Sequence, residues 1–348
     1  MKRLLATGVG VLLVVVAVLI LVTPVHANTS GTLVIASNTT LTEDHDGNIV
    51  IEADNATLDC AGHTITGPGD NGIFFQFRTG VTVKNCRVTG FTFGILVDDS
   101  TSFALMDNVA FGNGAHAFDI ERSSQGVLRG NTARENGGIG FAVESASIGN
   151  RLTENLASHN GEGFWVRFGS DANILSQNIA TANGQGYVVE ASSGNQLVGN
   201  TASRNHAGYW VREASDGTIL RGNLANSNTF GIVFYDTGHS ILENNTANNN
   251  ANTGIHILRG HENQLTTNTT NGNGSFGIEV DASNGNVLSG NTANVNIGVG
   301  ILLLDNSSDN TILENVARRN GTFDAARDFT GTGNVWTNNN FGTTEGIE

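Results

Sequence analysis

The chain has 348 residues, with 17 basic against 32 acidic side chains, a formal charge of −15, and two prolines against 45 glycines. An acidic chain without clustered lysine and arginine does not neutralise phosphates, which excludes nucleic acid as the expected partner. Pro24 and Pro68 both fall early and no Ser/Pro-rich linker follows, so the chain beyond its leader reads as one elongated domain.

Residues 1–27 carry Met1-Lys2-Arg3, an uncharged run from Leu4 to Val22, and Thr23-Pro24-Val25-His26-Ala27. This is the pattern of a secretory signal peptide with small residues at its cleavage site. The apolar run is also long enough to span a bilayer, so an uncleaved amino-terminal segment is the alternative, and the one membrane contact expected. In either case the remainder is expected outside the cytoplasm: secreted, periplasmic or on the cell surface. Residues 28–71 read as an opening cap, with short strands at Thr32 to Ile35 and Ile49 to Ile51. Between them, Glu43-Asp44-His45-Asp46-Gly47 reads as a solvated turn rather than a metal site. Cys60 and Cys86 fall on neighbouring repeats in an oxidising compartment, and two readings stand for them, a disulfide or two buried thiols.

Residues 72–322 are a repeat domain. The phrase N-x-A-x-x-N begins at Asn108, Asn131, Asn155, Asn178, Asn200, Asn223, Asn245, Asn268, Asn291 and Asn315, at spacings of 22 to 24 residues, with Thr270 the one departure from alanine. A fixed period of this length without a helix-sized segment predicts a β-solenoid, in which each coil buries its apolar face against the next. An aliphatic residue three positions before each leading asparagine, from Leu105 to Ile312, marks a second strand. A third strand opens on a small residue, usually glycine, and places apolar side chains at the first and third positions after it, as in Gly186-Tyr187-Val188-Val189. The corner asparagines are expected to tolerate left-handed backbone and to hydrogen-bond from rung to rung, which leaves the sequons at Asn268 and Asn320 unglycosylated. Residues 323–348 read as the closing cap and tail.

The second and fourth positions after the opening glycine should face outward. There Asp98, Glu121 and Glu144 stack on consecutive rungs, so that one retains a proton, or the side chains splay into water, or a cation sits among them, for which hard oxygen donors favour calcium. Glu144, Arg167, Glu190 and Arg212 then alternate in sign, the pattern of a solvated salt-bridge ladder. Trp165 and Trp210 occupy the outward position two rungs apart, about 9–10 Å at the strand spacing. Together with Arg167, Glu190, Arg212 and Tyr235 they form a candidate platform for a polysaccharide.

The segment Leu58-Asp59-Cys60-Ala61-Gly62-His63-Thr64-Ile65-Thr66-Gly67, followed by Gly-Ile strands and N-x-A-x-x-N corners, resembles the pectin-lyase-like right-handed parallel β-helix superfamily. Within it the chain resembles the NosD-type proteins, whose repeats are shared by many secreted carbohydrate-binding proteins and sugar hydrolases. The resemblance implies an all-β, right-handed parallel β-helix over roughly residues 30–340. Its polygalacturonase-type motifs do not carry over, since Asp98-Asp99 and Gly260-His261-Glu262 are partial matches lying many rungs apart.

Three functions follow as expectations. The first is a secreted protein that binds, and as a glycoside hydrolase or polysaccharide lyase would process, a glycan along the outer face of one sheet. Asp119, Glu121 and Glu144, or Glu279 and Asp281, would then supply acid and base, because residues i and i+2 on one strand face set carboxyls roughly 6.5–7 Å apart. The second is a NosD-like accessory protein for copper-site maturation, which would call for soft or imidazole ligands. The third is a cell-envelope scaffold or adhesin without a small ligand.

Overall fold

Asparagine and glycine punctuate the chain so often that no strand exceeds six residues, and each strand must find its partner one rung away. A computed structural model describes residues 23–25, 31–328 and 330–347. It is an all-β, right-handed parallel solenoid of about 13 turns, with no helix among the described residues. The strands stack in register into two fifteen-stranded sheets, one nine-stranded sheet and a two-stranded pair, Val316–Ala317 with Asn340–Phe341.

The first long sheet, here the Gly-Ile face, runs through strands such as Ile139–Glu144, Glu162–Arg167, Gln185–Glu190 and Ala207–Arg212. The second, the leucine face, contains Ala104–Met106, Val127–Arg129 and Arg151–Thr153. The shorter alanine face contains Val109–Phe111, Thr132–Arg134 and Leu156–Ser158, and beyond Leu224–Asn226 it thins into isolated bridges. All pairings are parallel and hold their columns, for example Phe141 beside Phe164 and Phe164 beside Tyr187.

The interior is a set of stacks. Phe118, Phe141, Phe164, Tyr187 and Tyr209 lie ring on ring with centroids 4.7–4.8 Å apart and planes within 7° of parallel. Buried alanines line the opposite wall, from Ala110 to Ala317. The opening glycines exist because the next rung comes too close for a side chain: a Cβ on Gly186 would sit 2.5 Å from the Gly208 carbonyl oxygen. Buried asparagines close the corners. Asn200 Nδ2 donates to the Leu175 carbonyl at 2.8 Å and to Asn223 Oδ1 at 3.2 Å, while its Oδ1 accepts from the backbone N–H and side chain of Asn178.

The left-handed backbone lies elsewhere than expected. It falls on the residue before the leading asparagine, as at Asp107, Glu154, Gln177 and Glu314, because the asparagine must turn its amide inward to join the ladder. Two further ladders complete the corners. A serine column runs from Ser100 through Ser123, Ser147, Ser170 and Ser192 to Ser215, and an asparagine column links Asn150, Asn173 and Asn195. At Ser147, Ser170 and Ser192 they are written in the sequence as S-x-x-N, which the N-x-A-x-x-N phrase overshadows.

At the ends, Cys60 and Cys86 are disulfide-bonded across adjacent turns, with Cα atoms 4.7 Å apart. Asp324 finishes the ladder of closing asparagines, which runs from Asn113 through Asn136 and Asn296 to Asn320, by accepting from Asn320 and from the backbone of Gly342 and Thr343. Of the expected leader, residues 1–22, 26 and 27 lie outside the described residues, whereas Thr23–Val25 pairs in parallel with Thr39–Leu41.

Candidate functional site

The outer side of the Gly-Ile face holds the predicted site residues in two groups. The acidic group is covered rather than open. Arg122 reaches across it, with Nη2 on Asp98 Oδ1, Nε 3.2 Å from Asp99 and Nη1 3.0 Å from Glu121. The cation expected among Asp98, Glu121 and Glu144 is thus supplied by the chain itself for the first two, while Glu144 pairs with Arg167 Nε. The alternating ladder resolves into two ion pairs, Arg167 with Glu144 and Arg212 with Glu190 at 2.8 Å.

Asp119 stands apart from this neutralised set. It is 1% exposed, and neither carboxyl oxygen has a hydrogen-bond partner. Burial, reinforced by the charges of Glu144 and Glu121 and opposed by Arg167, pushes its pKa up to about 8. His116, from the loop before its strand, lies beside it. The ring accepts the Ile139 N–H on Nδ1 at 3.0 Å, and burial together with Arg167 pushes its pKa down to about 4. One ligand atom each of His116, Asp119 and Glu144 lies within 4.8 Å of the others. Asp119 and Glu121 share a strand face as expected, but Arg122 holds Glu121 while Asp119 has no partner. Glu279 and Asp281 likewise occupy one strand. Glu279 accepts from Thr253 at 3.1 Å and lies 4.0 Å from His256, and burial raises the pKa of both acids.

The two tryptophans differ. Trp165 donates its indole N–H to Glu190 at 3.1 Å, and the guanidinium carbons of Arg167 and Arg212 lie 4.7 and 5.7 Å from its ring. Its polar edge is therefore committed within the protein. Trp210 also carries Arg212, at 4.6 Å, but opens on a cavity of about 170 Å³ lined by His206, Ala207, Trp210, Phe230, Val233 and His256. The Trp210 indole nitrogen and His256 Nε2 are buried there without a hydrogen-bond partner. Tyr235 lies one rung on, under the Arg259 guanidinium at 4.3 Å.

A third group went unseen in the sequence. Asp216, His239 and His261 sit at one corner on successive rungs, with one ligand atom each within 4.8 Å of the others, and His239 Nε2 also lies 3.1 Å from Glu262. The histidines are 22 residues apart, so no linear H-x-H spacing betrays them. Only a search at the rung period would.

Solved structures resembling this one are β-helices. The mannuronan C-5 epimerase AlgE6 A-module of Azotobacter vinelandii is 16% identical with a TM-score of 0.53, covering 91% of this chain and 88% of that one. The periplasmic alginate epimerase AlgG gives 13% and 0.57 over 90% and 79%. Tailspike protein 3 of bacteriophage CBA120 gives 13% and 0.62 over 93% and 57%. At such identities the likeness establishes the fold. No curated protein sequence matches the chain. The family described as a right-handed beta helix region matches residues 24–179. The family described as periplasmic copper-binding protein (NosD) matches residues 139–241 and 167–346, well over half of the chain, and it is to this NosD family that the protein belongs.

Proposed function

We propose that the protein is an extracytoplasmic β-helix that binds a polysaccharide along the outer Gly-Ile face, with the Trp210 cavity as its principal sugar subsite. The observation that carries this reading is the cavity's chemistry. Its walls are apolar and aromatic, yet two buried nitrogens, Trp210 Nε1 and His256 Nε2, make no hydrogen bond, although the second lies 4.0 Å from Glu279. A pyranose ring offers an apolar face for the indole and hydroxyls for the unpaired nitrogens, so one ligand class satisfies both features. The solved structures of similar fold include two epimerases of alginate-type polymers, which supports the same ligand class. Asp119 lies four rungs away, roughly 19 Å at the strand spacing, so a sugar seated at Trp210 does not reach it. Binding is the activity proposed for the cavity, with Glu279, 4.0 Å from the cavity-lining His256, the nearer carboxyl.

Neutral and acidic oligosaccharides titrated against tryptophan emission test this. Trp210→Ala should weaken binding at least tenfold, and Trp165→Ala should do so less. If no glycan perturbs the wild-type emission, or Trp210→Ala binds as tightly, a non-catalytic cell-envelope scaffold replaces this reading.

A second reading rests on the corner group. The family description names copper, and two imidazoles with a carboxylate are a donor set that suits Cu(II), so Asp216, His239 and His261 fit such an ion. In calorimetry, His239→Ala should remove a Cu²⁺ equivalent if these residues hold it, and an unchanged isotherm would dismiss the reading.

A further inference from the structure

The acids of the earlier rungs are closed to a ligand: Arg122 holds Glu121, Arg167 holds Glu144, and Asp119 is buried. Glu279 and Asp281 are not closed in this way. Among the described residues no arginine or lysine pairs with either, and the Glu279 side chain is 13% exposed, with Thr253 Oγ1 donating to it at 3.1 Å and His256 Nε2 at 4.0 Å. The two alternate along the strand Ile278–Asp281 and so face the same way, which sets their carboxyls roughly 6.5–7 Å apart. Their place along the face is as telling. Parallel register puts His256, a wall of the Trp210 cavity, on the rung before Glu279, and Leu302 and Leu304 on the rung after the pair. There Phe276, Leu302, Leu304 and Phe323 gather with Val299 and Ala326 into an apolar cluster separate from the solenoid core. The acid pair thus stands one strand spacing, about 4.8 Å, from the end of the sugar cavity and as far from a second apolar platform.

We infer that the protein hydrolyses the glycan it binds, with Glu279 as general acid and Asp281 as general base at a glycosidic bond held between the Trp210 cavity and the Phe276 cluster. The inference rests on the cavity being a sugar subsite. In the step, a water that gives its proton to Asp281 attacks the anomeric carbon. The bond from that carbon to the bridging oxygen breaks, and the departing oxygen keeps the electron pair and takes the Glu279 proton. Solvent then carries the proton from Asp281 back to Glu279, so one water and one chain become two shorter chains. The carboxyl separation lies at the lower end of the range of inverting glycosidases, which leave room for that water. Proton affinities agree with the roles. Burial raises the pKa of Glu279 although His256 opposes it, so this acid keeps its proton to higher pH than an ordinary glutamate. Burial, joined by the charges of Asp305 and Asp328 and opposed by His256, makes Asp281 a stronger base than an ordinary aspartate.

The test reads binding and cleavage separately on the full chain. Soluble glucan, xylan, galactan and polyuronate fragments are titrated against tryptophan emission, and each one that perturbs it is incubated with the protein while new reducing ends are counted and anomeric protons are followed by NMR. The expected result is that a bound glycan yields reducing ends, released first with inverted configuration and without unsaturated sugar. Glu279→Gln and Asp281→Asn should each lower kcat at least about a hundredfold. Both variants should still perturb tryptophan emission with the same glycan, which separates lost catalysis from misfolding, and Trp210→Ala should raise KM. A glycan that wild type binds and never cuts overturns the inference and leaves the binding reading standing, whereas a chain that binds no glycan ends both. Wild-type rates in Glu279→Gln, net retention of configuration, or an unchanged KM in Trp210→Ala would also overturn it.

Discussion

At the scale of single residues, stability is concentrated in amides rather than charges. The Asn200 side chain makes four hydrogen bonds at full burial, so Asn200→Ala should cost about 1–3 kcal/mol by stranding the groups it serves. Glu154, exposed and paired with Arg129 at 3.0 Å, should cost less than about 0.5 kcal/mol when changed to alanine. Chemical denaturation of the two variants compares them, and equal losses would contradict the ladder account. Asp119 and His116 give the protein a pH signature. Between the ordinary aspartate value and about 8 the unfolded chain has released the Asp119 proton while the folded chain keeps it, so stability falls as pH rises. Between about 4 and the ordinary histidine value of 6.5, the unfolded chain binds the His116 proton and the folded chain does not, so stability rises with pH. The two trends oppose each other up to pH 6.5. Above it Asp119 acts alone, and stability should drop by on the order of 2 kcal/mol between pH 6.5 and 8. Asp119→Asn should flatten that drop, and an identical slope in the variant would mean that Asp119 is ionised at neutral pH.

At the scale of the strand, what was legible and what was not divide along one line. Properties repeated in every rung were visible: the opening glycines, the first and third apolar positions and the alanine wall all follow from period-two burial acting on a fixed repeat. Properties made by one rung against another were not. The partner of Asp98 and Glu121 is Arg122, which sits in the turn and carries no repeat signal, so the acidic stack looked uncompensated. Outwardness was also overestimated for Asp119, Ala142 and Glu144, because periodicity assigns a side of the sheet and says nothing about the loops and arginines that fold over it. The aromatic stack is the strongest element-scale claim. Phe164 is sandwiched between Phe141 and Tyr187 at 4.7 and 4.8 Å, so Phe164→Ala leaves a cavity with rings above and below. A loss of about 3–5 kcal/mol is expected in denaturant titrations, and a loss below about 1 kcal/mol would mean that the stack repacks.

At the scale of the whole molecule, each described strand pairs only with the turn before and the turn after, so among the described residues no strand pairing ties one end of the solenoid to the other. Stability is then a sum of rung and nearest-neighbour contributions, and opening should begin at the ends. The two ends are reinforced differently. The amino-terminal turns carry the Cys60–Cys86 bridge, which joins adjacent rungs, and the carboxy-terminal ladder finishes on Asp324, whose oxygens collect the last unpaired amides. Reducing the bridge should therefore raise amide hydrogen exchange in roughly residues 31–90 while leaving the central rungs, such as Gln185–Glu190 and Ala207–Arg212, at their original protection. Asp324→Ala should do the mirror image, loosening the strands around Thr311–Leu313 and Val335–Thr337 without touching the amino-terminal turns. Exchange mass spectrometry with peptide resolution reads both. If reduction or Asp324→Ala deprotects the central rungs in step with the ends, the solenoid unfolds as one cooperative unit and the one-dimensional account fails. The Gly-Ile face runs through those central rungs, so this test also determines whether damage at either end reaches the Trp210 cavity.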